Sequence, residues 1–372
     1  MKKGTEMKRV LMVSCEGLGN GGVQAVMMNI VRNMHKEYLF DMLLFTSEKR
    51  YYDDEFLTYG GEIYRIPRYE GSNKLRKKID YYIRGRNLYR RVKELLDVKG
   101  PFDIIHCNAE FESAPIMKAE SECGIPVRIT HTHIISQKNN FVATCLENYR
   151  KKIINIYATK SIGCSVEACR SFFLDSKKAT VINNTYDDSR FNPKQHFYQD
   201  EDGLHILQVG RFCDTKNQLF TVDVLCQIRK QVENVHLSFV GFDMEGYEKL
   251  IRDKIKYLQL DEYVTFYPSN ADIPRLLSKS TSFIFPSLHE GFGIAIIEAQ
   301  AMGLRCFAST GVPRATDCGG VTFITLEDGA KVWADKIVES YKKYGNSKTE
   351  YDVSGYTITN VISTYKELYE GR

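Results

Sequence analysis

The sequence is short of the features that settle a protein class at a glance. No apolar run of roughly 18 residues occurs in the 372-residue chain, so nothing reads as a transmembrane helix. Met1-Lys2-Lys3-Gly4-Thr5-Glu6 leads straight into a strand-like run, without the apolar core of a secretory signal. The ten cysteines are scattered and form no C-x-x-C pair, which suggests neither a zinc ribbon nor a disulfide framework. A reducing cytoplasm is the expected setting. Short-period repeats and low-complexity segments are also missing, which excludes solenoids and linker-like tails. Net charge is small too, at +4, but it divides unevenly. Residues 1–190 carry 31 Lys and Arg against 23 Asp and Glu, a balance of +8, and residues 191–372 carry 20 against 24, a balance of −4. Such asymmetry predicts that the first half meets something anionic.

What is present is a regular alternation of apolar strands and helical stretches. Arg9–Ser14, Phe40–Phe45, Glu62–Ile66, Phe102–His106 and Val127–His131 read as strands, with helices over Val23–Met34 and about Leu75–Leu96. The pattern restarts with strands at Leu204–Gly210, Val235–Gly241, Val264–Tyr267, Ser282–Phe285 and Arg305–Ala308. Helices are predicted over Gln218–Val232, Glu245–Leu258 and, last, Tyr356–Tyr369. This grammar predicts βαβ units and two α/β domains with parallel sheets. Their joint is placed near Asn192-Pro193 and the polar Gln195–Gly203 stretch. The expected divisions are 1–195, 196–350 and a final segment 351–372.

The most specific stretch is Pro286-Ser287-Leu288-His289-Glu290-Gly291-Phe292-Gly293, followed by Ile294-Ala295-Ile296-Ile297-Glu298. A strand ends, a loop bearing two glycines follows, and a helix begins near Ile294. Gly291 and Gly293 let backbone approach a ligand, and a helix N-terminus offers N–H groups to an anion. Glu298 lies about two turns beyond Glu290, at 1.5 Å per residue, so a ligand touching both must be extended. It would be hydroxyl-rich at its ends and anionic in its middle, as a nucleoside diphosphate sugar is. Taken alone, Glu290 could equally cap the helix and Glu298 be an ordinary surface residue. A second corner, Gly210-Arg211-Phe212-Cys213-Asp214-Thr215-Lys216, leaves the first strand of the second half. In an open α/β sheet that edge carries the ligands, so Arg211 and Lys216 are expected over the same edge as Glu290, suited to phosphate oxygens.

These residues resemble the large retaining glycosyltransferase family 4, which has the GT-B fold, and within it bacterial capsule and exopolysaccharide enzymes. The glycine–arginine corner with its lysine and the two glutamates with seven residues between them both match. Val181-Ile182-Asn183-Asn184-Thr185-Tyr186-Asp187 and Phe191-Asn192-Pro193 resemble the family's domain joint, with Thr185 where a glycine is usual. Gly21-Gly22-Val23-Gln24 matches its first glycine loop. The resemblance implies two Rossmann-like domains with a cleft between them and a final helix returning to the first. It implies that Arg211 and Lys216 hold the donor diphosphate, with amides near Gly293, Ile294 and Ala295. Glu290 would accept from sugar hydroxyls and Glu298 from the ribose, while Gly21 and Gly22 would line the donor side. The implied donor is a nucleotide sugar, a UDP-sugar foremost, and the acceptor a hydroxyl of a glycan or lipid-linked glycan, with anomeric retention. No metal or other cofactor is expected if Arg211 and Lys216 balance the leaving charge, and no clear Asp-x-Asp metal signature argues otherwise. The class alternative is a non-catalytic nucleotide-sugar-binding or regulatory partner.

The family also places a histidine at a strand end in its first domain. Thr130-His131-Thr132-His133 offers two on one strand face, of which His133 is favoured while His131 stays open. Gly17-x-Gly19-x-x-Gly22 satisfies a dinucleotide fingerprint, but the acidic residue due about 20 positions on is replaced by Phe45-Thr46-Ser47. Finally, Arg76, Lys77, Lys78, Arg84, Arg86, Arg90, Arg91 and Lys93 face only Asp80 within 76–93. Arg150-Lys151-Lys152 adds to the same half. The 76–93 stretch reads as a solvated face or as a peripheral contact with an anionic membrane presenting the acceptor. Nucleic acid is not expected beside a sugar-donor site.

Overall fold

The computed structural model describes the chain except residues 1–6, 20, 68–73, 136–140, 196–201 and 244–245, and the side chains of 74–86. It divides into two compact units: Met1–Thr185 together with Ile358–Arg372, and Tyr186–Thr357. The last helix, Ile358–Tyr369, therefore belongs to the first unit, and the division falls at 185/186 and 357/358 rather than at 195/196 and 350/351.

The first unit is built on a seven-stranded sheet. Its strands are β1 (Lys8–Ser14), β2 (Tyr38–Leu44), β3 (Ile63–Arg65), β4 (Ile104–Asn108), β5 (Val127–Thr132), β6 (Lys160–Gly163) and β7 (Thr180–Val181). They lie in the order β3-β2-β1-β4-β5-β6-β7, and every pairing is parallel. Parallel strands covered on both faces need near-continuous apolar runs, and β1 and β4 supply them. One face packs Val10, Met12 and Ile129 against Val26, Ile30 and Met34 of the Gly22–Met34 helix, and against Tyr365, Leu368 and Tyr369 of the final helix. The other face packs Leu11, Val13 and Ile105 against Leu88, Val92 and Leu96 of the basic helix, which spans Lys74–Lys99 and stops before Gly100-Pro101.

The second unit repeats the plan with β8 (Leu204–Val209), β9 (Val235–Gly241), β10 (Val264–Pro268), β11 (Ser282–Phe285), β12 (Arg305–Ser309) and β13 (Val321–Ile324). The order is β10-β9-β8-β11-β12-β13, again all parallel. Leu204, Ile206, Phe239 and Ile284 face Val222 and Leu225 of the Gln218–Ile228 helix and Trp333 and Ile337 of the Gly329–Tyr344 helix. Both sheets have the doubly wound order, whose direction of winding reverses between β1 and β4 and between β8 and β11. Ligands of such sheets sit at the carboxyl ends of those strands. The short strands β6 and β7 are not marked by apolar runs. Lys160-Ser161-Ile162-Gly163 is half polar, and β7 is only two residues long. The helix from Gln218 ends at Ile228, four residues before the predicted end.

Candidate functional site

At the reversal point of the second sheet, the chain leaving β8 and the chain leaving β11 are fastened together. Leu288 donates its N–H to Thr215 O at 2.8 Å and Asn217 Nδ2 donates to Pro286 O at 3.3 Å, while Glu290 N–H donates to Gly311 O, beyond β12, at 3.1 Å. The Arg211–Lys216 corner is held from below by buried amides. Gln208 Nε2 donates to Lys216 O at 2.7 Å and Gln218 Nε2 to Arg211 O at 2.9 Å, while Thr221 Oγ1 donates to Gln208 Oε1 at 2.7 Å. Asn217 turns the corner in the left-handed region, at φ +55°, and opens the next helix.

This scaffold brings two of the predicted residues into contact. Lys216 Nζ forms an ion pair with a Glu290 carboxylate oxygen, with only 17% and 11% of the two side chains exposed. The ammonium also stands 4.8 Å from the centre of the Phe285 ring, which is buried at the end of β11. Arg211 is exposed at the same corner. Gly293 precedes the Ile294–Ala301 helix at φ +93°, and a Cβ there would lie 3.1 Å from the Phe285 ring. Ile294 and Ala295 form the first turn, whose N–H groups have no intrahelical acceptor. Glu298 lies on the second turn, half-buried. Burial pushes its carboxyl up to about 8; Asp187 pushes the same way and Arg190 opposes. It is therefore largely protonated near neutral pH and able to donate as well as accept.

In the first unit, both predicted histidines lie at the carboxyl end of β5, and both are buried. His133 Nδ1 is 3.0 Å from Asn184 Oδ1 and Nε2 is 2.9 Å from Asn108 Oδ1. Burial lowers its pKa to about 4. A neutral imidazole donates from one nitrogen and accepts at the other, so one of these two amides must present its NH2 group. His131 lies between two other imidazoles, stacked with His106 and tilted against His133. Its ring centre is 4.0 Å from that of His133 and 5.3 Å from that of His106, and its Nδ1 is 3.2 Å from His106 Nε2. His106 Nδ1 in turn meets Tyr369 Oη of the final helix at 2.9 Å. Burial, then the neighbouring imidazoles, keeps His131 far below its usual range. His131 thus sits inside the core and His133 is the outer member of the stack. The sequence does not single out Glu110, His106, Asn108 or Asn184 as site residues: Asn184 lies in the Val181–Asp187 segment, and the others carry no local pattern.

Gly21 caps the Gly22–Met34 helix in an extended conformation, at the carboxyl end of β1. The end of β2 presents Phe45, Thr46 and Ser47, so the dinucleotide fingerprint lacks its ribose-binding acid there. Of the basic stretch 76–93, the side chains of Arg76, Lys77, Lys78, Arg84 and Arg86 lie outside the described residues. Arg90 and Arg91 are exposed, and Lys93 pairs with Glu122 at 3.1 Å. Among the described residues, no group of three or more His, Cys, Asp or Glu could hold a metal ion, and no helix is long and apolar enough to cross a membrane. The one literal Asp-x-Asp, Asp200-Glu201-Asp202, lies in the polar joint, with 200 and 201 outside the described residues.

Comparison with known proteins falls in line with this geometry. Residues 203–343, which hold Arg211, Lys216, Glu290 and Glu298, match the family described as Glycosyl transferases group 1. The glycosyltransferase EpsF of Bacillus subtilis (strain 168) is 27% identical over 93% of this chain and 91% of its own. The capsular polysaccharide biosynthesis glycosyltransferase CapH of Staphylococcus aureus is 26% identical over 95% of each. The fold is that of Anabaena HepE in complex with UDP and glucose, with a TM-score of 0.77 at 18% identity over 98% of this chain and all of that one. TarM shares it with a TM-score of 0.72, at 14% identity over 98% and 99% of the two chains. The two doubly wound sheets are those of the GT-B fold.

Proposed function

We propose that this glycosyltransferase, whose second half is a group 1 glycosyltransferase domain, moves a sugar from a nucleotide donor to a hydroxyl of a glycan or lipid-linked glycan, with anomeric retention. The observation that carries the proposal is the cation–carboxylate pair of Lys216 and Glu290 beside a helix N-terminus, at the reversal point of the second sheet. A departing nucleoside diphosphate gains negative charge. Lys216, Arg211 and the amides of Ile294 and Ala295 are positive groups at the edge where that charge develops. Glu290 accepts hydrogen bonds from sugar hydroxyls and Glu298 meets the ribose, for which a carboxyl that both donates and accepts is suited. With those cations in place the reaction proceeds without a metal. His133 is the first unit's catalytic group, and retention follows from same-face attack within a short-lived oxocarbenium-like ion pair.

The UDP-sugar class is supported by the fold shared with HepE, whose structure holds UDP and glucose. A place in capsule or exopolysaccharide synthesis is supported by the likeness to CapH. The proposed setting is the cytoplasm, peripheral to an anionic membrane through the basic face within 76–93. A thermal-shift screen of nucleotide sugars tests the donor site, because a ligand of the folded state raises its stability by mass action. Stabilisation by a UDP-sugar with no transfer to any glycan acceptor would instead favour a non-catalytic binding partner. Transfer undiminished by Glu290→Ala would remove the role given to Glu290. Binding to anionic vesicles no stronger than to neutral ones would remove the membrane contact.

A further inference from the structure

Glu110 stands where the backbone favours glycine. It follows β4 at the reversal point of the first sheet, with φ +48°, a left-handed conformation that a side-chain-bearing residue rarely adopts. Its half-buried carboxylate makes two specific contacts. Oε1 accepts the backbone N–H of His133 at 3.0 Å and Oε2 accepts Thr132 Oγ1 at 2.7 Å. Both partners lie at the end of β5, so one side chain ties the ends of two neighbouring strands. The groups that hold the His133 ring come from other places, Asn108 at the end of β4 and Asn184 after β7. The amide pair thus orients the imidazole, while Glu110 sets the height of the backbone that carries it. A backbone strained at a sheet's ligand edge marks a place where function outweighs local preference.

We infer that Glu110 is a positioning residue for His133, its carboxylate holding the end of β5 so that the imidazole stands between Asn108 and Asn184. The inference rests on the reading of His133 as a catalytic group, but its test does not depend wholly on that reading. Burial pushes the Glu110 carboxyl up to about 7, and the His133 N–H and the Thr132 hydroxyl pull the other way, favouring its ionised form.

Glu110→Gly separates the two properties of the residue, because glycine accepts the left-handed backbone and removes the carboxylate. A residue serving only the turn would lose nothing by this change. The expected result is a folded protein of similar Tm in which the His133 ring is no longer fixed. Nitrogen-15 NMR of the imidazoles should show one tautomer, neutral to well below pH 6, in the parent. In the variant it should show averaged nitrogen shifts and a pKa moved toward 6.5. With UDP-glucose as the probe donor, kcat should fall at least tenfold with KM little changed. The losses from Glu110→Gly and His133→Ala should also be non-additive. An unchanged His133 spectrum in Glu110→Gly overturns the inference whatever the kinetics show, and so do additive losses in UDP-glucose turnover. Full activity in His133→Ala overturns the catalytic reading of His133 instead, leaving the spectrum to decide the positioning. If Glu110→Gly does not fold, Glu110→Asn, whose shorter side chain also tolerates the left-handed backbone, carries the same two readouts.

Discussion

Lys216 and Glu290 form an ion pair, and the same ammonium stands 4.8 Å from the centre of the Phe285 ring. The cation proposed for the donor diphosphate is therefore already engaged by the carboxylate proposed for the sugar. A diphosphate must draw Lys216 toward itself, and that movement releases Glu290 for hydroxyl groups. Replacing the carboxylate by an amide removes the competing charge but not the shape. In Glu290→Gln, affinity for UDP alone is expected to rise, while transfer of sugar falls by at least tenfold. Lys216→Met should weaken UDP by about 10–100-fold, the loss of one charge-assisted contact worth roughly 1.5–3 kcal/mol. Isothermal titration with UDP checks both, and a Glu290→Gln protein that binds UDP more weakly than the parent would contradict this exchange of partners.

Glu298 predicts a dependence of stability on pH. Its carboxyl titrates near 8 in the folded protein, against an ordinary value of 4.5. Between those values the folded state holds a proton that the unfolded state has released, so this residue's contribution to stability declines as pH rises through that window. The slope is at most about 1.4 kcal/mol per pH unit. Glu298→Gln keeps the size and hydrogen-bonding capacity but does not titrate. Its advantage over the parent in ligand-free Tm should be small at pH 5 and grow toward pH 8. A gap that does not change with pH would show that the carboxyl titrates normally.

The buried imidazoles carry the opposite sign. Burial, with the neighbouring His133, lowers His106 to about 3, so the folded state excludes a proton that the unfolded chain takes up below about 6.5. Stability from this residue is fully present above that value and is lost as pH falls toward 3. His106→Gln retains a donor and an acceptor for Tyr369 and His131 without titrating. Denaturant unfolding between pH 7.5 and 4.5 is expected to show the parent's lead over His106→Gln shrinking by about 1.4 kcal/mol per pH unit below pH 6.5. A constant difference across that range would overturn the assignment.

The legible parts of this protein are those whose physics is local. The apolar runs of β1, β8, β9 and β11 announce buried parallel strands, and the Glu290–Glu298 spacing spans a strand-to-helix loop and the turns after it. Lys216 and Glu290 could each be named for the same reason, although 74 positions separate them, because each ends a strand at the same sheet edge. The support around His133 was hidden. Asn108 and Asn184 are 25 and 51 positions away, joined to it only by the order of strands in the sheet. The left-handed turn at Glu110 carries no glycine or asparagine to reveal it. His131 and His133 share a strand face, and only the packing of His106 and Tyr369 shows which of them is enclosed.

The glycine before the Ile294–Ala301 helix ties the two halves of the proposed donor site to one ring. Gly293 needs its left-handed backbone at φ +93°, and a methyl group there would press on Phe285, whose ring also stands 4.8 Å from the Lys216 ammonium. Gly293→Ala should thus act twice. Backbone strain and the crowded ring would destabilise the fold by about 1–3 kcal/mol. Displacing the ring would also shift both the start of the helix and the seat of Lys216, so UDP affinity should fall by more than the lost stability explains. Comparison with Phe285→Leu separates the causes, because that change relieves the crowding and removes the aromatic face. In Gly293→Ala combined with Phe285→Leu, part of the lost stability should return while UDP binding stays weak. Full recovery of UDP affinity in the double variant would show that the aromatic face under Lys216 contributes nothing to the donor site.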